Sequence, residues 1–461
     1  MTNHIFHPSI LRAYDIRGIV DDTLSLADAR AIGLSFAACL ERRGHKNHVV
    51  VGRDGRLSSP ALSTALCDGL VEGGARVSDI GCGATPMLYF AGISLQADGA
   101  IQVTGSHNPS DHNGFKMVMN GTVFFGDDIQ ELGITSAAGL PGKSGGSLKK
   151  TPIFDTYINR LVTDADTGNF NVIWDCGNGA TGPATIAATK KISGTHTVLF
   201  GDIDGHFPNH HPNPVDPKTL TMLRQAVSKA GADLGIGFDG DGDRIGIIDA
   251  KGRQVPGDFL TAFLAQSIVY RHPGAPIILD VKSSDMAIDL ITAAGGNAQI
   301  WKTGHSHMKT RMAAIKAPLA GEMSGHIFIQ DGFYGFDDAL YVAIRILSQM
   351  AKTGQSITDF VDRLPPQHAT PELRIDCPDD VKFSIINRIA DYVKTQTDPM
   401  NLTLIDGVRV RINDGWWLVR ASNTEAALVA RAEGKTPAVL ARLVKDIETA
   451  LAAAGLEWTR Q

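Results

Sequence analysis

Leu234-Gly-Ile-Gly-Phe-Asp239-Gly-Asp241-Gly-Asp243-Arg244-Ile-Gly-Ile-Ile248 sets three carboxylates at alternate positions between two short apolar runs. The runs read as buried strands and the acids as the loop joining them. Acids this close repel one another, so the loop is costly unless a cation neutralises it. A hard divalent ion such as Mg2+ does so through oxygen ligands. The interleaved glycines carry no Cβ and let the backbone turn tightly enough for the side chains to converge. An EF-hand would need Gly at its sixth position and Glu at its twelfth, where this chain has Arg244 and Ala250. A dinucleotide fingerprint drawn through Gly235, Gly237 and Gly240 runs into acids that would repel a pyrophosphate. A solvated acidic turn is the plain alternative, and Arg244 weighs against it, because a cation beside the acids suggests that a phosphate is held there.

Working outward, a strand, a polar turn and a helix recur in alternation. Residues 27–43 carry apolar side chains at helical spacing, 48–51 read as a buried strand, and 60–73 as a helix. Strands are also expected at 99–103, 171–174, 232–238 and 276–279. Such alternation implies βαβ units and an α/β fold with mixed, largely parallel sheets. A faint repeat supports several copies of one unit: Val49-Val50-Val51 leads to Asp54, Val172-Ile173-Trp174 to Asp175, and Ile277-Ile278-Leu279 to Asp280. Each strand stops at a polar loop, the edge of a parallel sheet where ligands bind.

Gly139-Leu-Pro-Gly-Lys-Ser-Gly-Gly-Ser147 looks like a linker and sets a boundary near residue 150. It is no P-loop, since Ala137 stands where the first Gly belongs. Softer boundaries near Arg253 and Pro365-Pro366 give units 1–150, 151–253, 254–366 and 367–461. The last of these pairs 408–412 with 416–420 as a hairpin, with helices on either side, and reads as a smaller α+β domain.

Composition excludes several classes of function. The 461 residues are 43% hydrophobic and 20% charged, enough for a large core and several domains of ~100–200 residues each. A net charge of −6 without a long basic run argues against nucleic acid or an anionic membrane as partner, and for a small substrate. Five cysteines, odd in number and with no CxxC pair, indicate neither a disulfide framework nor a zinc ribbon and fit a reducing cytoplasm. No basic segment followed by a long apolar run opens the chain, so neither signal peptide nor membrane anchor is expected. His206, His210 and His211 lie among prolines at no zinc-ligand spacing and read as a loop.

Four further stretches bear polar groups suited to chemistry. Val103-Thr104-Gly105-Ser106-His107-Asn108-Pro109 presents a serine in a turn after a strand, without the Gly-x-Ser-x-Gly elbow of a hydrolase. Lys116 returns shortly afterwards and could stabilise developing negative charge or move a proton. Glu322, Ser324 and His326 offer donors and acceptors within five positions, as a sugar's hydroxyls require, and a polar surface turn stays open beside that reading. His305 adds an imidazole in Lys302-Thr-Gly-His-Ser306. Arg420-Ala-Ser422-Asn423-Thr424-Glu425 reads as a strand-to-helix turn, serving as a phosphate cradle, a helix cap or both. The segment 9–18 packs Arg12, Tyr14 and Arg17 into an extended stretch.

In order along the chain, Ala-Tyr14-Asp-Ile-Arg17-Gly, Thr-Gly-Ser106-His-Asn-Pro, Asp239-Gly-Asp-Gly-Asp-Arg244, Gly-Glu322-Met-Ser-Gly-His326 and Arg420-Ala-Ser-Asn-Thr424 resemble the α-D-phosphohexomutases, within them the bacterial phosphomannomutase/phosphoglucomutase branch. The resemblance implies three related α/β domains and a smaller fourth around a central cleft, each giving one motif loop. It also implies that Ser106 carries the phosphoryl group, with Mg2+ on its phosphate and on Asp239, Asp241 and Asp243. Catalysis would involve His107, Lys116, Arg244 and His305, with proton transfer at His305 and Lys116. Glu322, Ser324 and His326 would grip the sugar, and Arg420, Ser422, Asn423 and Thr424 the phosphate. Tyr14, Arg17 and Lys282 match cleft-lining positions. The implied reaction interconverts hexose 1- and 6-phosphates, of mannose and glucose, through a hexose 1,6-bisphosphate, in a cytoplasmic monomer or weak homo-oligomer. Met323 favours this branch over phosphoglucosamine mutases, which usually carry Gln there, and Ala426 departs from relatives that often have Pro. The alternatives are a phosphoglucosamine mutase, a sugar-phosphate-binding protein without turnover and a metal-dependent phosphatase.

Overall fold

The computed structural model describes residues 3–163, 165–423 and 425–458. Among them the strands form four sheets. Three share a plan in which one strand lies parallel to both of its neighbours: His48–Arg53 in the first sheet, Asn171–Asp175 in the second and Pro276–Asp280 in the third. A hairpin then adds an antiparallel strand to each, Gly99–Val103 with His112–Met119, Leu234–Phe238 with Ile245–Asp249, and Leu319–Gly321 with Ile327–Ile329. The fourth sheet is antiparallel and contains the hairpin Gly415–Ala421 with Ala427–Gly434. All four motif loops, at Ser106, Asp239, Glu322 and Arg420, are the connections of these hairpins. The α/β architecture is that of the sequence reading.

Strands such as Leu234–Phe238 and Ile245–Asp249 are buried along their whole length, as strands covered on both faces are. Helices begin where side chains satisfy their free N–H groups. Ser25 and Asp28 form a capping box ahead of Leu26–Arg42, and Asp338 accepts from Tyr341 N at the start of Ala339–Thr353. The largest apolar cluster runs from Val50 and Phe90 through Tyr157 and Trp174 to Phe263 and Phe336, so the first three sheets share one packed interior. The fourth is clasped to the third by Arg409, whose guanidinium lies 3.8 Å over the Trp416 ring and donates to the carbonyls of Val281 and Ser283. No helix among the described residues is long and apolar enough to cross a membrane.

Two local expectations change. The turn after Arg420 leads into the strand Ala427–Gly434, not a helix, and Leu428, Ala430 and Ala432 pack into the fourth core. A short apolar run does not separate strand from helix by periodicity alone. The linker-like stretch ends in Ser147–Lys150, an exposed edge strand parallel to Arg76–Cys82. Exposed on all four residues, it leaves no burial pattern to read.

Candidate active site

Ser106 sits in the left-handed region at φ 49°, rare for a residue with a Cβ and a form of backbone strain that clusters at functional sites. The loop around it over-determines that conformation. Ser106 N donates to Thr104 Oγ1 at 2.8 Å, and Thr104 Oγ1 donates to Asp54 Oδ2 at 2.7 Å. From the other side Arg56, 1% exposed, donates to the carbonyls of Ser106 (2.8 Å), Asn108 (2.6 Å), His112 (3.0 Å) and Pro109. Held so, the Ser106 hydroxyl donates to Asp239 Oδ2 at 3.0 Å and lies 3.1 Å from His107 Nδ1. Burial, Arg244 and Arg17 hold the His107 imidazole well below its usual pKa, so it is neutral.

Asp239, Asp241 and Asp243 are each 0% exposed, with ligating oxygens within 4.8 Å of one another. Asp239 Oδ1 takes the backbone N–H groups of Gly242, Asp243 and Arg244 at 2.9, 3.0 and 3.1 Å and so folds the loop onto itself. Gly240 is required where it stands, because a Cβ there would meet the Ser106 carbonyl oxygen at 2.4 Å. Thr85, the first residue of the helix Thr85–Ser94, fastens the loop by donating to Asp241 Oδ2 at 2.5 Å. Lys116 Nζ reaches Asp241 Oδ2 at 2.7 Å and also contacts Asp243. Burial opposes the Lys116 charge, but these two acids override it and raise its pKa. The protein's own cations still leave the loop short of balance. Burial and the neighbouring Asp241 and Asp243 push Asp239 far up, Asp241 Oδ1 is buried without a hydrogen-bond donor, and Asp243 Oδ1 meets only the His326 ring at 3.2 Å. Three buried carboxylates converging within 4.8 Å, with Asp241 Oδ1 undonated, fit a hard divalent cation.

The other loops face the same cleft, a cavity of about 550 Å3 lined by Arg17, His107, Arg244, Glu322, His326 and Arg420 among others. Glu322 accepts from Gly304 N at 2.6 Å and Ser324 Oγ at 3.1 Å, and lies 2.9 Å from His326 Nδ1. Burial opposes the Glu322 charge, but His326 overrides it and holds the carboxyl down to about 2. His326 itself is raised to about 9, as Asp243 and Glu322 outweigh burial and Arg244. His305 begins the helix His305–Ile315 directly after Gly304, whose φ of 124° and contact with the Tyr14 ring exclude a side chain. Both His305 ring nitrogens are buried without a hydrogen-bond partner, and burial, Lys309 and Lys116 keep its pKa far down. The Tyr14 hydroxyl donates to the Thr303 carbonyl at 2.9 Å and accepts from Asn423. Arg420 pairs with Asp406 at 3.1 Å, and Lys282 with Glu372 at 3.1 Å.

The fold therefore gathers the residues singled out in the sequence, with Thr424 outside the described residues. Arg17 joins the serine loop, donating to Asn108 Oδ1 at 2.6 Å, and Ser422 and Ser324 line the cleft. Arg12 lines it too. His206, His210 and His211 lie in a loop, as read, and Phe207 in that loop packs 5.3 Å from the Arg56 guanidinium. Sequence reading named Asp54 only as the acidic end of a strand and assigned no role to Arg56, Thr85 or Glu372. Arg56 shows in the sequence only as part of a charged turn, Arg53-Asp54-Gly55-Arg56, at the end of an apolar strand.

A hydroxyl held against three acids, with lysine, arginine and neutral histidines around it, is equipped to take and give a strongly charged group. The class so defined is a multidomain α/β enzyme of phosphoryl transfer. Phosphoglucomutase/phosphomannomutase family models match domain I at residues 8–137, domain II at 155–252, domain III at 256–368 and the C-terminal domain at 372–450. A phosphomannomutase/phosphoglucomutase of Pseudomonas putida is 44% identical over 443 residues, 95% of this chain and 94% of that protein. One from Pseudomonas aeruginosa is 41% identical over 436 residues, 94% of each. The crystal structure of a phosphoglucomutase/phosphomannomutase family protein from Burkholderia thailandensis superposes with a TM-score of 0.92 at 39% identity, covering 98% of both chains. The chain belongs to the phosphoglucomutase/phosphomannomutase family and is a phosphohexomutase.

Proposed function

We propose that the chain interconverts the 1- and 6-phosphates of mannose and of glucose in the cytoplasm, with Ser106 as the carrier of the phosphoryl group. The reading rests on the Ser106 hydroxyl, fixed in a strained turn and donating to Asp239 at 3.0 Å. Asp239, Asp241 and Asp243 would hold Mg2+, which supplies charge neutralisation for the moving phosphoryl.

In the forward direction the Ser106 Oγ–P bond breaks and a bond forms from phosphorus to the free 6-hydroxyl of a hexose 1-phosphate. The 6-hydroxyl proton passes to a base, for which buried, neutral His305 is suited. Lys116, kept charged by Asp241 and Asp243, steadies negative charge on the transferring oxygens and gives a proton to the departing Ser106 Oγ. The hexose 1,6-bisphosphate turns end for end, and its 1-phosphoryl returns to Ser106 with release of hexose 6-phosphate. Arg244 contacts the phosphoryl, and His107 orients the Ser106 hydroxyl. Glu322, Ser324 and His326 grip the sugar, while Arg420, Ser422, Asn423 and Thr424, with Lys282, hold whichever phosphate lies remote from Ser106. Tyr14 and Arg17 brace the cleft wall. The four units are taken as 1–150, 151–253, 254–366 and 367–461, in a monomer or weak homo-oligomer.

The test combines mass and turnover. Incubation with glucose 1,6-bisphosphate adds one phosphoryl group to the peptide containing Ser106, and a coupled assay with mannose 1-phosphate or glucose 1-phosphate, Mg2+ and a trace of bisphosphate detects the 6-phosphate. Ser106→Ala abolishes both signals. Turnover surviving in that variant, or release of inorganic phosphate in place of isomer, overturns the reading.

A further inference from the structure

Beyond Asp243 lies a second group of ligating atoms that the reaction above does not use together. One oxygen of Asp243, one ring nitrogen of His326 and one oxygen of Asp337 lie within 4.8 Å of one another, on residues no more than 5% exposed. They come from separate segments: the acidic hairpin loop, the turn before Ile327–Ile329, and the residue preceding the cap of Ala339–Thr353.

The group is built as a metal site is built. His326 Nδ1 is fixed by Glu322 Oε2 at 2.9 Å, which turns Nε2 toward Asp243 Oδ1 at 3.2 Å. A carboxylate on one ring nitrogen, with the other nitrogen left for the ion, is the usual outer support of a histidine ligand. Asp337 Oδ2 is without a hydrogen-bond donor and Asp243 Oδ1 meets only the His326 ring, on residues 0% exposed. Lys309 Nζ holds the other Asp337 oxygen at 2.8 Å and leaves Oδ2 undonated. Buried oxygens in this state are costly, and a divalent ion satisfies both. Arg244 Nε lies 3.3 Å from His326 Nε2, a contact the ion displaces.

One imidazole and two carboxylates suit a borderline ion, whereas the all-oxygen set of Asp239, Asp241 and Asp243 suits Mg2+. We propose that Asp243, His326 and Asp337 form a second divalent site for Zn2+ or a similar ion, sharing Asp243 with the acidic triad. Given the reading of His326 as a sugar ligand, an ion on its Nε2 takes the imidazole from the substrate. Zn2+ then inhibits competitively with hexose 1-phosphate, and excess Mg2+ does not relieve it.

The full-length enzyme in saturating Mg2+ is titrated with Co2+, read by its visible absorption and by metal analysis, and crystals soaked in Zn2+ with excess Mg2+ are mapped by anomalous scattering at the zinc edge. One Co2+ per chain binds without releasing Mg2+, Asp337→Asn weakens it at least about 10-fold, and a zinc peak lies among Asp243, His326 and Asp337. Displacement of Mg2+ one for one, or a wild-type zinc peak confined to the three-aspartate loop or missing, overturns the site without recourse to any variant. A peak at the proposed position with inhibition that is not competitive keeps the site and overturns the sugar-ligand reading of His326.

Discussion

Lys116 Nζ lies 2.7 Å from Asp241 Oδ2, so a cation of the protein already stands against the acids that fit a divalent ion. Lysine and metal compete for the same negative charge, and in the proposed reaction the lysine also steadies the transferring oxygens. Replacing Lys116 by Met should therefore tighten Mg2+ binding by roughly an order of magnitude while lowering kcat by about 10² to 10³. Calorimetric Mg2+ titration beside steady-state kinetics checks the pair of effects. Weaker Mg2+ binding in the variant contradicts the competition.

Thr85 reaches the same loop from the start of the helix Thr85–Ser94, its N–H on the Asp241 carbonyl at 2.8 Å and its hydroxyl on Oδ2 at 2.5 Å. Thr85→Val keeps the shape and removes the hydroxyl donor from a buried carboxylate, at a cost of about 1 to 3 kcal/mol. We expect kcat/KM to fall roughly 10-fold, while Thr85→Ser, which retains the donor, stays near wild type. A Ser variant as impaired as the Val variant would assign the effect to packing instead.

How much of this was legible beforehand follows from where each interaction closes. The four motif loops were readable because their acids, hydroxyls and cations are unusual at any sheet edge, and strand 99–103 because its apolar run is bounded by polar turns. Thr85 was not, since a threonine opening a helix is an ordinary cap and its partner is 156 residues away. Arg56 shows only as a charged turn until the fold brings it against the Ser106 carbonyl. Asp337 and Lys309 lie on opposite sides of the Glu322 loop, and their ion pair leaves no local pattern.

Glu372 occupies Lys282 at 3.1 Å within the cleft, and a phosphate held by Lys282, as proposed, would displace it. The Lys282 charge, followed by burial working the other way, holds Glu372 below its usual pKa, so it is an anion competing with substrate. Glu372→Gln should lower KM for hexose 1-phosphate about fivefold with kcat nearly unchanged, the signature of altered uniform binding. Inorganic phosphate should inhibit the variant more strongly. A raised KM would mean that Glu372 positions Lys282 for the substrate.

His210 Nε2 faces both oxygens of Asp175 at 3.0 Å. Burial disfavours its charge, but Asp175 overrides it and lifts the pKa above the usual histidine value. The folded protein thus holds this proton more tightly than the unfolded chain does. Its stabilisation is complete below about pH 6.5 and is lost as pH rises through the folded value. Urea denaturation should show wild type losing roughly 0.5 to 1 kcal/mol from this pair between about pH 6 and pH 8. His210→Asn should be less stable than wild type at the lower pH and nearly equal to it at the higher. A constant gap between the two proteins across that window would rule out titration of His210 as the cause.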